Sequence, residues 1–433
     1  MSQPWKVQPT LLYHLYRGVS TLLAPFVWRK VAGKLRAHGM SEPRARERLG
    51  HASLPRPSGR LVWLHGASVG ESILVLTLVQ TLGAADPDLE FLITSGTPTS
   101  ADLVAKRLPP RTRHQFPPLD TGAAVGRFLA HWQPDLGIFV ESELWPQMLV
   151  RARAAGVPLA LLNARLSQKS VEGWKKRRKT AAFLLDQFAL MLTQNAATAE
   201  NLLAMGADPA RLVTGSNLKA LADPLPVDQA ALAEVQSALA DRPLWVASST
   251  HAGEEEIVLA AHKTLLTQHP DLCLLLVPRH PNRGDTVEAL IRDAGLSQAR
   301  RSTGTLPDAQ TQVYLADTLG EVGTWYALCP RVFLGGSLKE IGGHNPFEVM
   351  QAGGAVLTGP GAYNFAESFA ELREIGAAQE ITSAATLAAA VATWLDDPHA
   401  LDRARASGRG FMARQSEQIK TTVATLLQLL PKT

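Results

Sequence analysis

The sequence predicts an α/β protein built from two doubly wound parallel sheets. Three observations support this prediction: the length of 433 residues, the alternation of short apolar runs with helix-length stretches, and a turn-rich segment at 215–226. A chain of this length usually folds into two large domains or three small ones. Strands that alternate with helices favour a parallel sheet covered by helices on both faces. We therefore expect two Rossmann-like domains joined by a linker, with a cleft between them.

The predicted strands are the short apolar runs between the helical stretches. Five belong to the first sheet: 61–64, 89–94, 136–140, 157–162 and 190–193. Five more belong to the second sheet: 244–248, 272–277, 313–315, 332–334 and 355–358. This pattern divides the chain into an N-terminal segment (1–50), a first domain (51–222) and a second domain (223–433), whose last helix is able to pack back on the first domain.

The composition narrows the class of protein. With 46% hydrophobic and 19% charged residues, the chain has the make-up of a globular protein with a large core. A net charge of +4 is too small at this length to indicate a nucleic-acid partner. The two cysteines, Cys273 and Cys329, cannot build a disulfide framework or a cysteine metal site. These features exclude a disordered chain and fit a reducing, cytoplasmic setting.

The N-terminal segment has the pattern of a helix that lies on a membrane surface. Residues 11–27 are apolar but contain His14, Arg17 and Pro25, carry no secretory cleavage site, and are short for a membrane-spanning helix. A helix packed on its own domain is the alternative, and a spanning helix is a third interpretation. On a helical wheel one face collects Leu11, Leu12, Leu15, Val19, Leu22, Leu23 and Phe26. The basic residues that follow suit an anionic surface: Arg29, Lys30, Lys34, Arg36, Arg44, Arg46 and Arg48.

Two acidic motifs follow strands of the first domain. In the loop after the first strand, residues 65–72, glycines allow close backbone approach to a ligand, and Glu71 falls in the first helical turn. Glu71 is therefore either a general base or an ordinary helix-start acid. After the third predicted strand, Glu141 and Glu143 could share a proton or attract a cation. Lys219, in the linker, is one such cation, and a solvated lysine is the alternative.

Three loops of the second domain carry anion-binding features. Hydroxyl groups and amides at 248–253 form an anion site before an acidic helical turn, 254–256. Arg279 ends an apolar strand, where it is placed to bind a phosphate or to form a surface turn. The strongest signal is two glycine pairs, at 335–336 and 342–343. They lie around a strand-to-helix crossing, before a helix that begins near Pro346. Their amides could hold a single phosphate, and Glu348 could accept hydrogen bonds from ribose.

Two common nucleotide motifs are absent from the sequence. It contains no G-x-x-x-x-G-K-[ST] segment, and no G-x-G-x-x-G follows the first strand. Their absence argues against a P-loop NTPase and against an ordinary NAD enzyme. No His/Asp cluster with metal-ligand spacing is found either, so no metal and no cofactor is expected.

The motifs together resemble those of the 3-deoxy-D-manno-octulosonic acid (Kdo) transferases, glycosyltransferases of the GT-B architecture. The resemblance extends from about residue 61 to 375 and rests on seven motifs in the same order: 66–71 (GASVGE), 141–146 (ESELWP), 163–167 (NARLS), 217–219 (NLK), 278–281 (PRHP), 319–321 (LGE) and 342–348 (GGHNPFE). The sequence departs from the family pattern at Ser142, at Phe347 and at residues 220–221. The last of these departures follows Lys219 directly and changes its setting.

The resemblance implies an enzyme that moves Kdo from CMP-Kdo to a lipid A precursor, lipid IVA, with inversion and without a metal. It implies Glu71 as the base, with Glu141 and Lys219 supporting the transition state. The donor site would comprise Pro278, Arg279, Leu319, Gly320, Glu321, Asn345, Pro346, Phe347 and Glu348. Acceptor contacts are expected at Ser68, Gly70, Arg165 and Lys169.

The resemblance also implies a place of action. The N-terminal helix looks like the family's anchor to the cytoplasmic face of the cell inner membrane, and no nucleic-acid partner is expected. A basic stretch, 169–179, would meet acceptor phosphates or the anionic membrane, or would simply be a solvated helix face. Two other functions stay open: a sugar-nucleotide epimerase or hydrolase on the same fold, and a catalytically silent lipid-binding protein.

Overall fold

The computed structural model describes residues 7–141, 144–164, 166, 168–214 and 224–431, with backbone only at Gln168 and Thr214. The chain divides into two compact units. The first comprises Met1–Ala222 and Gln415–Thr433, and the second comprises Asp223–Arg414. Most of the turn-rich segment predicted as a linker, together with its Lys219, lies outside the described residues.

Each unit contains one seven-stranded sheet in which every neighbouring pair of strands is parallel. The first sheet has the order β3-β2-β1-β4-β5-β6-β7 and the second β10-β11-β9-β8-β12-β13-β14. The strands of the first are β1 (Leu61–Gly66), β2 (Glu90–Ser95), β3 (Thr112–Gln115), β4 (Leu136–Val140), β5 (Leu159–Ala164), β6 (Leu190–Thr193) and β7 (Leu212–Thr214). Those of the second are β8 (Leu244–Thr250), β9 (Cys273–Pro278), β10 (Gln298–Arg300), β11 (Val313–Leu315), β12 (Arg331–Leu334), β13 (Ala355–Thr358) and β14 (Ala378–Glu380).

Helices connect the strands, as the parallel pairing requires. Those that precede residue 215 are α1 (Leu11–Ala37), α2 (Glu42–Arg46), α3 (Val69–Ala85), α4 (Pro98–Lys106), α5 (Gly122–Trp132), α6 (Pro146–Ala154), α7 (Gln168–Lys175), α8 (Arg178–Leu185) and α9 (Ala196–Ala204). Those that follow are α10 (Gln229–Leu239), α11 (Glu255–Leu266), α12 (Gly284–Asp293), α13 (Val322–Leu328), α14 (Pro346–Gln351), α15 (Ala366–Glu374), α16 (Ala384–Asp396) and α17 (Pro398–Leu427). The α/β fold class with two Rossmann-like domains is thereby confirmed.

Both faces of the first sheet are buried, because alternate residues of a strand point to opposite faces. On one face Val62 and Leu64 of β1 pack in a cluster with α3 and with the end of α17. On the other face Leu61 and Trp63 pack in a cluster with α5 and α6. The second sheet packs against α11, α12 and α16 through a cluster centred on Trp245. Such two-sided burial explains why the central strands are continuous apolar runs.

Helix α1 is both packed on its own unit and apolar on its outer surface. Tyr13 and Leu35 are buried in two small clusters of the first unit, and the Tyr16 hydroxyl donates a hydrogen bond to Asp120 (2.8 Å). The seven residues predicted to share an apolar face are all exposed. In the described part of the chain no helix is long and apolar enough to cross a membrane.

Two of the basic residues assigned to a membrane surface point inward instead. Arg44 forms an ion pair with the buried Glu47 (2.9 Å) and donates to the His114 carbonyl (2.8 Å). Arg48 lies in a short 3-10 helix, Glu47–Leu49, and donates to the carbonyl of Pro117 (2.9 Å). The assignment of Arg44 to the surface was wrong, because its charge is paired inside the first unit, whereas the partner of Arg48 is a neutral oxygen.

Candidate active site

Glu71 is held by the loop that precedes its own helix. Ser68 caps α3, and its hydroxyl oxygen accepts the Glu71 N–H (3.3 Å) while donating to Glu71 Oε1 (2.8 Å). The other oxygen, Oε2, accepts the N–H of Ala67 (2.6 Å). The side chain is largely buried, with 8% of the residue exposed. The carboxylate therefore has one fixed orientation, and each of its oxygens keeps a second lone pair for another donor.

The two glycines of this loop, Gly66 and Gly70, have different structural roles. A Cβ on Gly66 would lie 3.0 Å from the Glu71 Cβ, so the strand end requires glycine for Glu71 to approach. A Cβ on Gly70 would meet nothing within 4 Å. Gly70 therefore leaves open space beside the first turn of α3, at the place where an acceptor contact is expected.

Glu141 follows β4 in a left-handed backbone conformation, with φ of +64°. Strand β4 pairs with β1, and the register sets Phe139 beside His65, so Glu141 and the Glu71 loop leave the sheet at the same edge. Asn163 in β5 and Ser249 in β8 also have positive φ, +54° and +56°. Such conformations cost of order 1–3 kcal/mol and concentrate at functional sites. No sequence motif predicts this strain.

Several predicted residues of the first unit cannot be placed or remain on the surface. Arg165 and Glu143, like Lys219, lie outside the described residues. Lys169 is exposed at the start of α7. In the basic stretch that follows, Lys175 donates to an amide oxygen of Asn201 (3.2 Å) and Arg178 to the carbonyl of Ala204 (3.1 Å). These contacts are with neutral oxygens, so both residues keep their positive charge available for an anion.

In the second unit Arg279 lies beside a group of three histidines. Rings of His251 and His344 stack, with their Nε2 atoms 3.0 Å apart, and His280 meets His251 edge-on. Burial, together with the neighbouring His251 and Arg279, lowers the pKa of His344 to about 4. The ring of His344 is thus neutral near pH 7, and burial also lowers the pKa of His251. Arg279, which is exposed, brings a positive charge to this corner.

The first glycine pair does not form an open phosphate site. The buried carboxylate of Glu254 accepts the N–H groups of Gly336 (2.7 Å), Ser337 (2.9 Å) and Leu338 (2.8 Å), and that of His251 (3.0 Å). The prediction of a phosphate on these amides was wrong, because a carboxylate of the same chain already takes them.

The remaining glycine amides are also bonded within the protein. Gly335 donates to the Ser248 carbonyl (2.8 Å), Gly342 to Gly361 (3.1 Å) and Gly343 to Gly336 (2.7 Å). The acidic helical turn at 254–256 is largely buried as well. Glu255, next to Glu254, is fully buried in an ion pair with Arg283 (2.6 Å).

Helix α14 begins as the sequence predicts, with Pro346 in its first turn and Asn345 as its N-cap. The Asn345 side chain accepts the Phe347 N–H (3.1 Å) and donates to Glu348 Oε1 (3.1 Å). Burial raises the pKa of Glu348, and nearby Arg279 opposes that shift. Phe347 is buried and its ring stacks on Phe411, so its side chain belongs to the core. A ligand could reach Phe347 only through its backbone.

The predicted donor loop at 319–321 combines a fixed carboxylate with an exposed apolar tip. Glu321 receives two nitrogens of Arg301, at 2.7 and 3.1 Å, and the hydroxyl of Thr318. Gly320 has φ of +87°, a conformation that favours glycine, and Leu319 is 79% exposed. Arg301 was not recognised from the sequence, because no motif marks it. Within the described ranges, no group of three or more His, Cys, Asp or Glu side chains is placed to hold a metal ion.

Solved structures share this fold. One is the UDP-GlcNAc 2-epimerase from Neisseria meningitidis in complex with UDP-GlcNAc, with a TM-score of 0.55 and 12% sequence identity over 84% of this chain and 100% of that one. At this identity the likeness concerns the fold alone. The chain is thus an α/β protein of the GT-B class.

Sequence comparisons identify the family within this class. Residues 43–222 match the family described as 3-Deoxy-D-manno-octulosonic-acid transferase (kdotransferase). The 3-deoxy-D-manno-octulosonic acid transferase of Haemophilus influenzae is 35% identical over 88% of this chain and 92% of its own length. That of Bordetella pertussis is 34% identical over 86% and 87%. The chain belongs to the Kdo transferase family and is a glycosyltransferase.

Proposed function

We propose that this enzyme transfers Kdo from CMP-Kdo to the lipid A precursor lipid IVA, with inversion and without a metal ion. The observation that carries the proposal is the fixed Glu71 carboxylate at the carboxyl edge of the first sheet, where ligands of α/β proteins bind. Membership of the Kdo transferase family favours sugar transfer over the epimerase, hydrolase and silent lipid-binding alternatives.

In the proposed reaction a hydroxyl oxygen of the acceptor forms a bond to the anomeric carbon of Kdo. The bond from this carbon to the CMP phosphate oxygen breaks, and the phosphate keeps the electron pair. Glu71 takes the hydroxyl proton, which makes the oxygen a better nucleophile as positive charge develops on the sugar. Attack on the face opposite to the departing CMP inverts the configuration. Glu141 and Lys219 are proposed to stabilise the transition state.

The donor is proposed to bind the second unit through Pro278, Arg279, residues 319–321 and residues 345–348. Arg279 suits the phosphate, because a guanidinium forms charge-assisted hydrogen bonds with its oxygens. Glu348 and Asn345 are proposed to face ribose. Because the Glu321 carboxylate is already bound by Arg301, we assign its loop to the nucleotide through the backbone and Leu319.

The acceptor is proposed to approach the first unit from the cytoplasmic face of the inner membrane. The exposed apolar residues of α1 support a peripheral attachment there, since α1 contains basic residues and no acidic ones. Ser68, Gly70, Arg165 and Lys169 are proposed as acceptor contacts. The open space beside Gly70 gives room for a sugar hydroxyl near Glu71.

A product assay tests this proposal. The full chain in detergent is incubated with CMP-Kdo and the tetra-acylated precursor, and the lipid products are weighed by mass spectrometry. We expect a mass increase of one or more Kdo residues, unchanged by a metal chelator, and an inverted anomeric configuration by NMR. Release of free Kdo without a lipid product would instead indicate a hydrolase.

A further inference from the structure

A cavity of about 360 Å³ lies beneath helix α1 in the first unit. Apolar side chains of α1 line one side of it, among them Val19, Leu23 and Val27. Its other side is formed by strand ends, loops and the first turn of α6, including Ala67 and Met148. The volume falls within the range of small-molecule sites, roughly 300–1,000 Å³.

This cavity adjoins the exposed apolar surface of α1. Leu22 and Phe26, which are 76% and 75% exposed, alternate along the helix with the lining residues Leu23 and Val27. A hydrocarbon chain could therefore pass from the outer surface of α1 into the cavity without leaving apolar contacts. A contiguous exposed apolar area of this kind is typical of a binding surface.

Arg48 gives the cavity wall a positive charge that the described residues do not neutralise. One guanidinium nitrogen donates to the carbonyl of Pro117, and the buried Nε has no hydrogen-bond partner in the described part of the chain. None of the described carboxylates forms an ion pair with it. Burial lowers the pKa of Arg48 to about 10. A desolvated cation is costly unless an anion pairs with it, so the site favours an anionic ligand.

The carboxylate in the same wall cannot serve as that anion. Asp120 accepts the N–H groups of Gln147 (3.0 Å) and Met148 (2.7 Å) and the hydroxyl of Tyr16 (2.8 Å). It thereby caps α6 and fastens α1, and burial raises its pKa. These bonds hold Asp120 to α6 and α1, and among the described residues no ion pair joins it to Arg48, so the charge of Arg48 is left for a ligand.

The cavity also reaches the proposed catalytic group. Ala67, which lines it, donates its N–H to Glu71 Oε2 at 2.6 Å. A lipid with a hydrocarbon chain in the cavity would have its polar part close to the loop that holds Glu71. This proximity favours the acceptor over a bulk membrane lipid, which has no reason to bind beside the reacting carboxylate.

We propose that this cavity binds one acyl chain of the acceptor lipid, with an anionic group of the same lipid at Arg48. The inference rests on the proposed function and adds to it the acyl chain as a binding determinant. The enzyme then selects its acceptor by chain as well as by sugar, and removal of that chain weakens acceptor binding.

Variants that fill the cavity or remove its charge test the inference. Ala24→Phe places a ring in the cavity, and Arg48→Met removes the charge. Thr21→Phe adds the same ring to an exposed position of α1, and Arg107→Met removes an exposed charge elsewhere in the first unit. We expect the first two to raise KM for the tetra-acylated acceptor by about tenfold or more, with kcat little changed, and the two controls to match the unaltered chain.

Three further measurements separate the explanations. Against an acceptor whose ester-linked chains have been removed, Ala24→Phe should differ little from the unaltered chain, because the contact that it blocks is already absent. Arg48→Met should still raise KM for that acceptor, because the anionic group remains. Arg48→Lys should recover part of the affinity, which a purely structural role of the guanidinium fork would not allow. Sedimentation with phosphatidylglycerol vesicles should be the same for all variants. Thermal unfolding identifies a variant that fails to fold. If Ala24→Phe or Arg48→Met fails, the other variant still tests the inference.

Several results would overturn the inference. Equal KM values for all variants, or equal losses in Ala24→Phe with and without acyl chains, would mean that the cavity holds no acceptor chain. A parallel loss of vesicle binding would assign the cavity to bulk membrane lipid. Binding of the acceptor in micelles without donor is measured separately. Cavity-dependent binding without any transfer would contradict the proposed function and support the cavity, whereas no binding by the unaltered chain would refute the cavity inference.

Discussion

The carboxylate of Glu254 accepts the backbone N–H of Gly336 at 2.7 Å, although the two residues are 82 positions apart in the chain. Gly336 has φ of +64° and lies under the ring of His344, where a Cβ would come within 2.9 Å of the imidazole. A buried carboxylate thus organises the loop that positions the stacked histidines. The loop is fixed by the protein before any ligand arrives.

Replacing this carboxylate should destabilise the second unit. Glu254→Gln keeps the shape but turns an amide NH₂ toward backbone N–H groups, so buried donors lose their acceptor. We expect a loss of about 1 to 3 kcal/mol in the free energy of unfolding, measured with urea. Glu256→Gln, at an exposed position of the same helical turn, should change it by less than about 0.5 kcal/mol. Similar values for the two variants would contradict the structural role of Glu254.

Glu71→Gln should lower the rate of transfer by a factor of about 10² or more, because glutamine cannot accept the proton. A helix-start role alone would cost only a few tenths of a kcal/mol in stability and would spare turnover. Steady-state kinetics and melting temperature measured on one preparation distinguish these roles. Glu200→Gln, exposed on α9, is the matched control. Near-normal transfer by Glu71→Gln would move the base to Glu141 or Glu143.

Arg279→Ala should weaken CMP binding by about 1.5 to 3 kcal/mol, the usual contribution of a hydrogen bond to a charged group. Calorimetry measures this affinity without any acceptor. Arg292→Ala removes an equally basic and likewise exposed side chain from α12 and should leave the affinity unchanged. Unaltered CMP affinity in Arg279→Ala would exclude this residue from the donor site.

His262 should make the second unit sensitive to acid. It accepts the Trp245 Nε1–H (3.2 Å) and lies 2.9 Å from the Gln312 carbonyl through Nε2, and burial lowers its pKa to about 4. Between about pH 6.5 and 4 the unfolded chain gains a proton that the folded chain does not, so stability falls as the pH falls. The loss attributable to this residue is of order 3 kcal/mol.

The substitution His262→Gln keeps an acceptor and a donor but removes the titration. Unfolding free energies measured from pH 7 to 4 should therefore decline less steeply in this variant than in the unaltered chain. His399→Gln, at an exposed position, should follow the unaltered chain. Parallel declines for His262→Gln and the unaltered chain would show that another group controls the acid sensitivity.

The strands predicted from the sequence are the central ones, and the four that were missed are the edges of the two sheets: β3, β7, β10 and β14. A central strand is buried on both faces and shows an apolar run, as in β4. An edge strand is short and often polar, as in Gln298–Arg300 and Ala378–Glu380, so its composition resembles that of a loop.

Two helix starts near the candidate site were predicted, because their signals are local. Glu71 falls in the first turn of α3, and Pro346 in the first turn of α14, as the sequence indicates. Contacts between distant parts of the chain were not predictable. Nothing near Glu254 announces that it binds amides 82 to 84 positions away, and nothing near Arg48 distinguishes it from the exposed Arg46.

Helix α17 begins in the second unit and ends in the first, where Ile419, Val423, Leu426 and Leu430 pack into the cluster beneath β1. During synthesis the ribosome therefore makes the whole second unit before the first has the side chains that complete its core. The core of the first unit therefore remains incomplete while about half the length of the chain is translated. Because the first unit comprises two segments of the chain, no single cleavage of the polypeptide can release it intact. The biogenesis and the proteolysis of the two units are therefore coupled.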